Sequence, residues 1–108
     1  MDSKIESKKI FRPAGIIDYA MGGIVSKELT HSEKGSITLF AFDKEQALSE
    51  HSAPFDAIVQ VIEGKVALTI DKEKYVLSQG EMIVMPANHP HSVTAEEKFK
   101  MMLTMIRG

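Results

Sequence analysis

Short apolar runs rich in β-branched residues, each followed by a polar or glycine turn, constrain this chain more than any other feature of its sequence. The runs cover residues 24–29, 36–42, 57–62, 66–70, 75–77, 82–85 and 99–106. Apolar residues at helical spacing are almost absent, and we expect at most one helical turn, over 43–50. A series of short strands separated by polar turns predicts an all-β sandwich or barrel.

Turn residues and chain length predict how these strands are organised. The segment Ser32-Glu33-Lys34-Gly35 is a turn between the first two runs, and Glu63-Gly64-Lys65 between two β-branched runs is typical of a β-hairpin. The 108 residues are the size of one domain. We expect an N-terminal tail or edge segment over 1–15 and a single domain over 16–108.

Composition excludes several classes of function. The net charge of −2 and the few aromatic residues give no basic, stacking surface, so we expect neither a nucleic-acid nor a membrane partner. The absence of cysteine excludes disulfides, thiolate metal sites and cysteine nucleophiles. The N-terminal lysines precede no apolar stretch of the kind a secretory signal needs, so the expected location is the cytoplasm.

Several predicted strands are apolar on both faces, and this bears on assembly. In the last run, Phe99, Met101 and Leu103 share one face, while Met102 and Ile106 lie on the other. A sheet in a small sandwich buries only one face in its own core. We therefore expect a second copy of the chain to cover the other face, giving a homodimer.

Three of the four histidines lie in the loops that flank the strands between residues 57 and 85. His51 precedes these strands, and His89 and His91 follow them. Imidazoles from the ends of neighbouring strands are common components of metal and acid–base sites. His31 stands before a polar turn and is expected at the surface.

The spacing of these residues resembles the cupin superfamily over residues 36–106. Gly80, Pro86, Asn88 and His91 match the second cupin motif, with Asn88 in place of the usual turn glycine because asparagine tolerates a positive φ. His51 and Gly64 match part of the first motif. The chain is most similar to small single-domain bacterial cupins with a His-Ser-Ala-Pro segment. This resemblance implies a double-stranded β-helix, the jelly-roll barrel of cupins.

The chain departs from the metal-binding cupins at two positions. In those proteins the first motif supplies a second histidine and a glutamate, and the corresponding positions here are Ala53 and Ala57. His51 and His91 therefore remain from a family set of four ligands. Neighbouring Asp56 is expected to point to the opposite face of its strand, because side chains alternate along a strand.

Three functional hypotheses follow. In the first, the barrel binds a small, partly apolar molecule, with His51 and His91 at its mouth and a wall formed by Ala53, Ala57, Val59 and Val61. In the second, the protein is a metal-dependent dioxygenase or isomerase in which His51, His91 and more weakly His89 hold Fe, Mn, Ni or Zn. The third is a metal-free acid–base catalyst that uses one histidine on a sugar or keto acid.

Overall fold

More than half of the described chain is strand, in a computed structural model that describes residues 5–107. The first four residues of the predicted 1–15 segment and residue 108 lie outside this range. A 3-10 turn spans Pro13–Gly15. The strands are β1 (Ile24–Ser32), β2 (Gly35–Phe42), β3 (Ala47–His51), β4 (Asp56–Glu63), β5 (Lys65–Ile70), β6 (Glu73–Ser78), β7 (Met82–Met85), β8 (His91–Thr94) and β9 (Phe99–Ile106).

The strands form two antiparallel sheets, which confirms the predicted all-β class. Sheet A has the order β1-β2-β9-β4-β7, and sheet B has the order β3-β8-β5-β6. Every predicted run lies within a strand. The helical turn expected over 43–50 is wrong, because β3 begins at Ala47 and pairs with β8, with Leu48 opposite Val93.

The hairpin predicted at Glu63-Gly64-Lys65 is also wrong. β4 pairs with β7 and β9 in sheet A, while β5 pairs with β6 and β8 in sheet B, so the chain passes from one sheet to the other at Gly64. Gly64 has φ +82°, and a Cβ there would lie 2.7 Å from the carbonyl oxygen of Lys98. Only glycine fits this turn without strain.

The core fills the space between the inner faces of the two sheets. Its largest fully buried side chains include Phe42 and Phe99, whose rings stack with centroids 4.7 Å apart. Val59, Val61 and Leu68 are likewise fully buried. The alternation of apolar side chains along each strand therefore supplies one closed core.

Part of the outer face of sheet A is covered by the N-terminal segment of the same chain. Ile17 is buried and packs with Leu39 and Ala41, and Ile16 and Met102 pack against this cluster. The expectation that a second copy covers this face is therefore too broad: the chain's own segment covers one end of it.

Within residues 5–107 no helix has the length and hydropathy needed to cross a membrane.

Candidate functional site

His51 and His91 meet at one end of the barrel, called the mouth below. They end β3 and begin β8, and they are paired across the sheet B ladder. Their Nε2 atoms are 3.2 Å apart, and the rings meet edge to face with centroids separated by 4.4 Å and planes inclined by 72°. His91 is buried and His51 is exposed. The structure thus brings together the two histidines that match the cupin motifs.

The loop before His91 is held against the loop after His51 by backbone hydrogen bonds. Asn88 N–H donates to the carbonyl oxygen of Ala53 at 2.7 Å. Ala87 N–H donates to Asp56 Oδ1 at 2.9 Å. Asn88 has φ 67°, which confirms that this residue takes the left-handed turn position expected of it. These contacts fix the direction from which His91 enters the mouth.

The hydrogen-bond acceptors around each imidazole indicate which of its two ring nitrogens carries the proton. His51 Nδ1 lies 2.8 Å from the carbonyl oxygen of Ser49, and a carbonyl oxygen only accepts. The neutral His51 ring therefore carries its proton on Nδ1 and presents a lone pair on Nε2. His91 makes a longer Nδ1 contact, 3.3 Å to the carbonyl oxygen of His89. A neutral His91 ring has one proton to donate. Because His51 Nε2 presents a lone pair at the shorter distance of 3.2 Å, we assign that proton to His91 Nε2, and the Nδ1 contact with His89 is then not a hydrogen bond in the neutral pair.

The surroundings of His91 favour this neutral form. Burial first, and the neighbouring His51 ring second, lower the pKa of His91 below its usual value, although its contact with the carbonyl oxygen of His89 acts in the opposite direction. Both dominant causes penalise a positive charge at the mouth. We therefore treat His91 as a neutral hydrogen-bond donor at neutral pH.

The structure separates the four residues predicted to form a wall beside the histidines. Ala53 is partly exposed in the loop after His51, and Ala57 lies one residue inside β4 and is 4% exposed. Val59 and Val61 lie deeper along β4, have no exposed surface and pack in the main core. In this structure Ala57, Val59 and Val61 all belong to the main core cluster, and Ala53 is the partly exposed member of the four.

His89 does not complete a metal site with the other two histidines. Its Nδ1 is 2.5 Å from Asp71 Oδ2, and both side chains are about half exposed. Residues 5–107 contain no group of three or more histidine, aspartate or glutamate side chains placed to hold a metal ion. The third-ligand role predicted for His89 stays a prediction, and it would require the ring to leave Asp71.

The remaining pair fits a metal ion only in part. Two imidazole nitrogens bound to one zinc ion at tetrahedral geometry are about 3.3 Å apart, close to the 3.2 Å between the Nε2 atoms of His51 and His91. A catalytic centre needs a third protein ligand, however, and the positions that supply it in the family are Ala53 and Ala57. The donor set does not fit a tightly held ion.

A cavity of about 200 Å³ lies at the same end of the barrel, next to the β1–β2 turn. Phe55 and Met105 give it apolar walls, and Ser36 and Arg107 add polar groups. The Arg107 guanidinium lies 4.9 Å from the centre of the Phe55 ring. No pattern in the sequence predicted this pair. Phe55 stands only four residues after His51, which is the one signal that could have indicated it.

The match to a family model decides the relationship of the chain. The model of the cupin domain matches residues 38–107, which include β3, β4, β8 and both mouth histidines. The chain belongs to the cupin superfamily. This confirms the resemblance drawn from Gly80, Pro86, Asn88 and His91, and the cupin fold agrees with the two antiparallel sheets.

Solved structures extend the comparison beyond the matched region. A conserved protein of unknown function from Streptococcus pyogenes is 35% identical, with a TM-score of 0.92, over 96% of this cupin and 91% of that chain. A cupin 2 conserved barrel domain protein from Leptotrichia buccalis is 39% identical, with a TM-score of 0.85. The alignment covers 87% of this chain but only 46% of the Leptotrichia one.

A cupin superfamily protein from Desulfitobacterium hafniense has the same fold at lower identity. It is 20% identical with a TM-score of 0.88, over 99% of this chain and 97% of that one. None of the curated proteins matches the chain. The comparisons therefore establish the family and the fold. The function has to be inferred from the residues at the mouth of the barrel.

Proposed function

We propose that this cupin binds a small, partly apolar molecule at the mouth of its barrel and holds no tightly bound metal there. The observation that supports the proposal is the direct contact between His51 and His91 at positions where metal-binding cupins place ligands. With alanine at both other positions, the pair is a hydrogen-bonding group beside methyl side chains. A pocket of this kind orients a ligand through a few polar atoms and binds the rest through apolar contact.

The protonation of the pair favours a ligand that carries a hydroxyl group. His51 Nε2 offers a lone pair and His91 Nε2 offers a proton. A hydroxyl both donates and accepts, so one oxygen can satisfy both nitrogens and take over their mutual hydrogen bond. A carboxylate only accepts and leaves the His51 lone pair unmatched. The apolar part of such a molecule would occupy the cavity lined by Phe55 and Met105 at the same end of the barrel.

Native mass spectrometry of freshly purified protein, combined with metal analysis, tests this proposal. We expect a small-molecule adduct on the wild-type chain, loss of the adduct in His51→Ala and His91→Ala, and no stoichiometric metal. His89→Ala is the matched control, because it removes a half-exposed imidazole that is bonded to Asp71 and not to the pair, and it should keep the adduct. Stoichiometric transition metal in protein expressed without supplementation would overturn the proposal, as would an adduct retained by both mouth variants.

The metal-dependent enzyme is the second candidate, because the distance between the two Nε2 atoms suits two ligands of one ion. Fe, Mn, Ni or Zn would then be held by His51 and His91, with substrate and water at the open positions. Calorimetric titration with Zn²⁺ distinguishes the two candidates. Tight binding lost in His51→Ala supports the enzyme. Weak binding that the substitution leaves unchanged removes the basis for it.

A further inference from the structure

A second group of polar side chains lies at the mouth end of the barrel, on the inner face of sheet A. The register pairs His31 with Ser36 and Ser36 with Met105, which packs against the main core. Directly opposite residues on paired strands share a face, so His31 and Ser36 also point to the inner face. His31 Nδ1 lies 3.6 Å from Glu28 Oε1. All four residues line the cavity of about 200 Å³.

Arg107 brings a positive charge to the same cavity. It stands two residues after Met105, and its backbone N–H donates to the carbonyl oxygen of Lys34 at 2.8 Å, which attaches the end of β9 to the β1–β2 turn. Its guanidinium lies 4.9 Å from the centre of the Phe55 ring. None of the ion pairs formed within residues 5–107 includes Arg107. The guanidinium is therefore positioned by its neighbours and has no acidic partner among these residues.

We propose that Arg107 binds a carboxylate of the molecule held at the mouth, which makes that molecule a hydroxy acid. The inference rests on the proposed function, in which His51 and His91 bind the hydroxyl group. A guanidinium donates two parallel hydrogen bonds to a carboxylate, and contact with an aromatic ring leaves these donors available. The apolar middle of the molecule would then contact Phe55 and Met105.

The charges of the cavity favour a carboxylate over a phosphate. Arg107 contributes one positive charge and Glu28 one negative charge, and His31 lies beside Glu28. A carboxylate carries one negative charge, whereas a phosphate monoester carries about 1.5 to 2 at pH 7. Glu28 would repel the additional charge of a phosphate, because like charges in one site oppose each other.

The two parts of the site are close enough for one small molecule to reach both. Phe55 follows His51 by four residues, so their Cα atoms are at most about 14 Å apart. The cavity of about 200 Å³ is smaller than the pockets of roughly 300–1,000 Å³ that hold drug-sized ligands. We therefore expect a short carbon chain between the hydroxyl and the carboxylate.

Hydroxy acids and their matching primary amides test the inference in amide NMR titrations. The acids are hydroxyacetate, γ-hydroxybutyrate and ε-hydroxycaproate, which vary the distance between the two polar groups. We expect wild-type protein to bind the best of these acids at least about 10-fold more tightly than its amide, and Arg107→Gln to abolish that preference. His51→Ala should weaken the acid and the amide alike. Arg12→Gln is the matched control: it removes the other arginine of the chain, which is exposed, and should keep the preference.

The amide spectrum also shows whether each variant is folded, and Arg107→Met replaces Arg107→Gln if the latter does not fold. If His51→Ala weakens binding but the preference for the acid survives the loss of Arg107, the inference fails and the proposed function stands. If neither substitution weakens binding of the probes, both fail. Wild-type protein that binds none of the three acids would overturn the inference, while the adduct on the purified chain tests the proposed function by itself. Tighter binding of hydroxypropyl phosphate than of γ-hydroxybutyrate would contradict the choice of a carboxylate.

Discussion

The chemistry of single residues at the mouth depends on where each imidazole carries its proton. The carbonyl oxygen of Ser49 fixes the proton of His51 on Nδ1, and burial keeps His91 neutral. The pair therefore presents one acceptor and one donor within 3.2 Å. Protonating both rings would place two positive charges side by side in a partly buried position.

Replacing His91 should reduce the loss of stability in acid. The pKa of His91 is lowered in the folded state, while the unfolded chain has an ordinary histidine pKa of about 6.5 and binds more protons in acid. The stability contributed by neutral His91 is therefore present above about pH 6.5 and is lost as the pH falls through the folded-state pKa. Urea unfolding of wild type and His91→Gln, above and below that pH, measures the difference.

The same substitution at an exposed histidine provides the control. His31 on β1 is exposed, and the unfolding profile of His31→Gln measures what the substitution itself does at a histidine outside the pair. If the free energy of unfolding of His91→Gln falls in acid as steeply as that of the wild type, neutral His91 contributes nothing to the profile.

At the scale of elements, the passage from β4 to β5 depends on Gly64. Gly64 and Gly80 both have positive φ, +82° and +90°. A Cβ at Gly64 would meet the Lys98 carbonyl oxygen at 2.7 Å, whereas a Cβ at Gly80 would meet no atom within 4 Å. Backbone strain is thus common to both positions, and the steric clash is confined to the point where the chain changes sheets.

Alanine substitutions should separate these two effects. We expect Gly80→Ala to cost about 1 kcal/mol of unfolding free energy through left-handed backbone strain alone. Gly64→Ala should cost about 1–3 kcal/mol more, because backbone atoms have to move away from the new methyl group. Urea unfolding of the two variants measures both values. Equal costs would show that the contact with Lys98 has no energetic role.

Polar contacts attach the N-terminal segment to sheet A. Lys100 is almost fully buried, and its Nζ donates to the carbonyl oxygen of Ala14 at 2.6 Å. Tyr19 OH donates to Glu63 Oε2 at 2.5 Å, and the Lys98 Nζ lies 4.8 Å from the centre of the Tyr19 ring. Burial, and then the bond to Glu63, raise the pKa of the Tyr19 phenol, so it remains a donor.

Tyr19→Phe should loosen the N-terminal segment without unfolding the barrel. Losing this charge-assisted hydrogen bond costs about 1–2 kcal/mol of local stability, so amide exchange at Ile16 and Ile17 should be roughly 5- to 30-fold faster. Hydrogen exchange with mass spectrometry measures the change. Tyr75→Phe is the control, since it removes a similar bond, to Glu73 at 3.0 Å, on the β5–β6 hairpin. Unchanged exchange in Tyr19→Phe would contradict this role.

At the scale of the whole molecule, the space between the two sheets is filled by side chains, with Val59 and Val61 fully buried. The histidine pair lies at one end of the barrel, where β3 ends and β8 begins. The proposed binding of a small molecule is therefore confined to the mouth, because the buried core offers it no room.

The sequence predicted the strands that bury one apolar face and missed those defined by pairing. β2 and β9 were evident because their side chains alternate in a buried layer. β3 (Ala-Leu-Ser-Glu-His) and β8 (His-Ser-Val-Thr) are short and largely polar, and the contact of Leu48 with Val93 across the sheet defines them. Pairing between distant segments leaves no periodic signal in so short a segment.

The sequence by itself determined the all-β class, the cupin motifs and the loss of two ligands, because these depend on residue types at fixed spacing. Only the tertiary structure decided that Gly64 links two sheets, that Asp71 holds His89, and that the chain's own N-terminal segment covers part of sheet A. Each of these depends on which distant residues become neighbours. A linear pattern specifies the period of a strand, but the packing of the whole chain selects its partners.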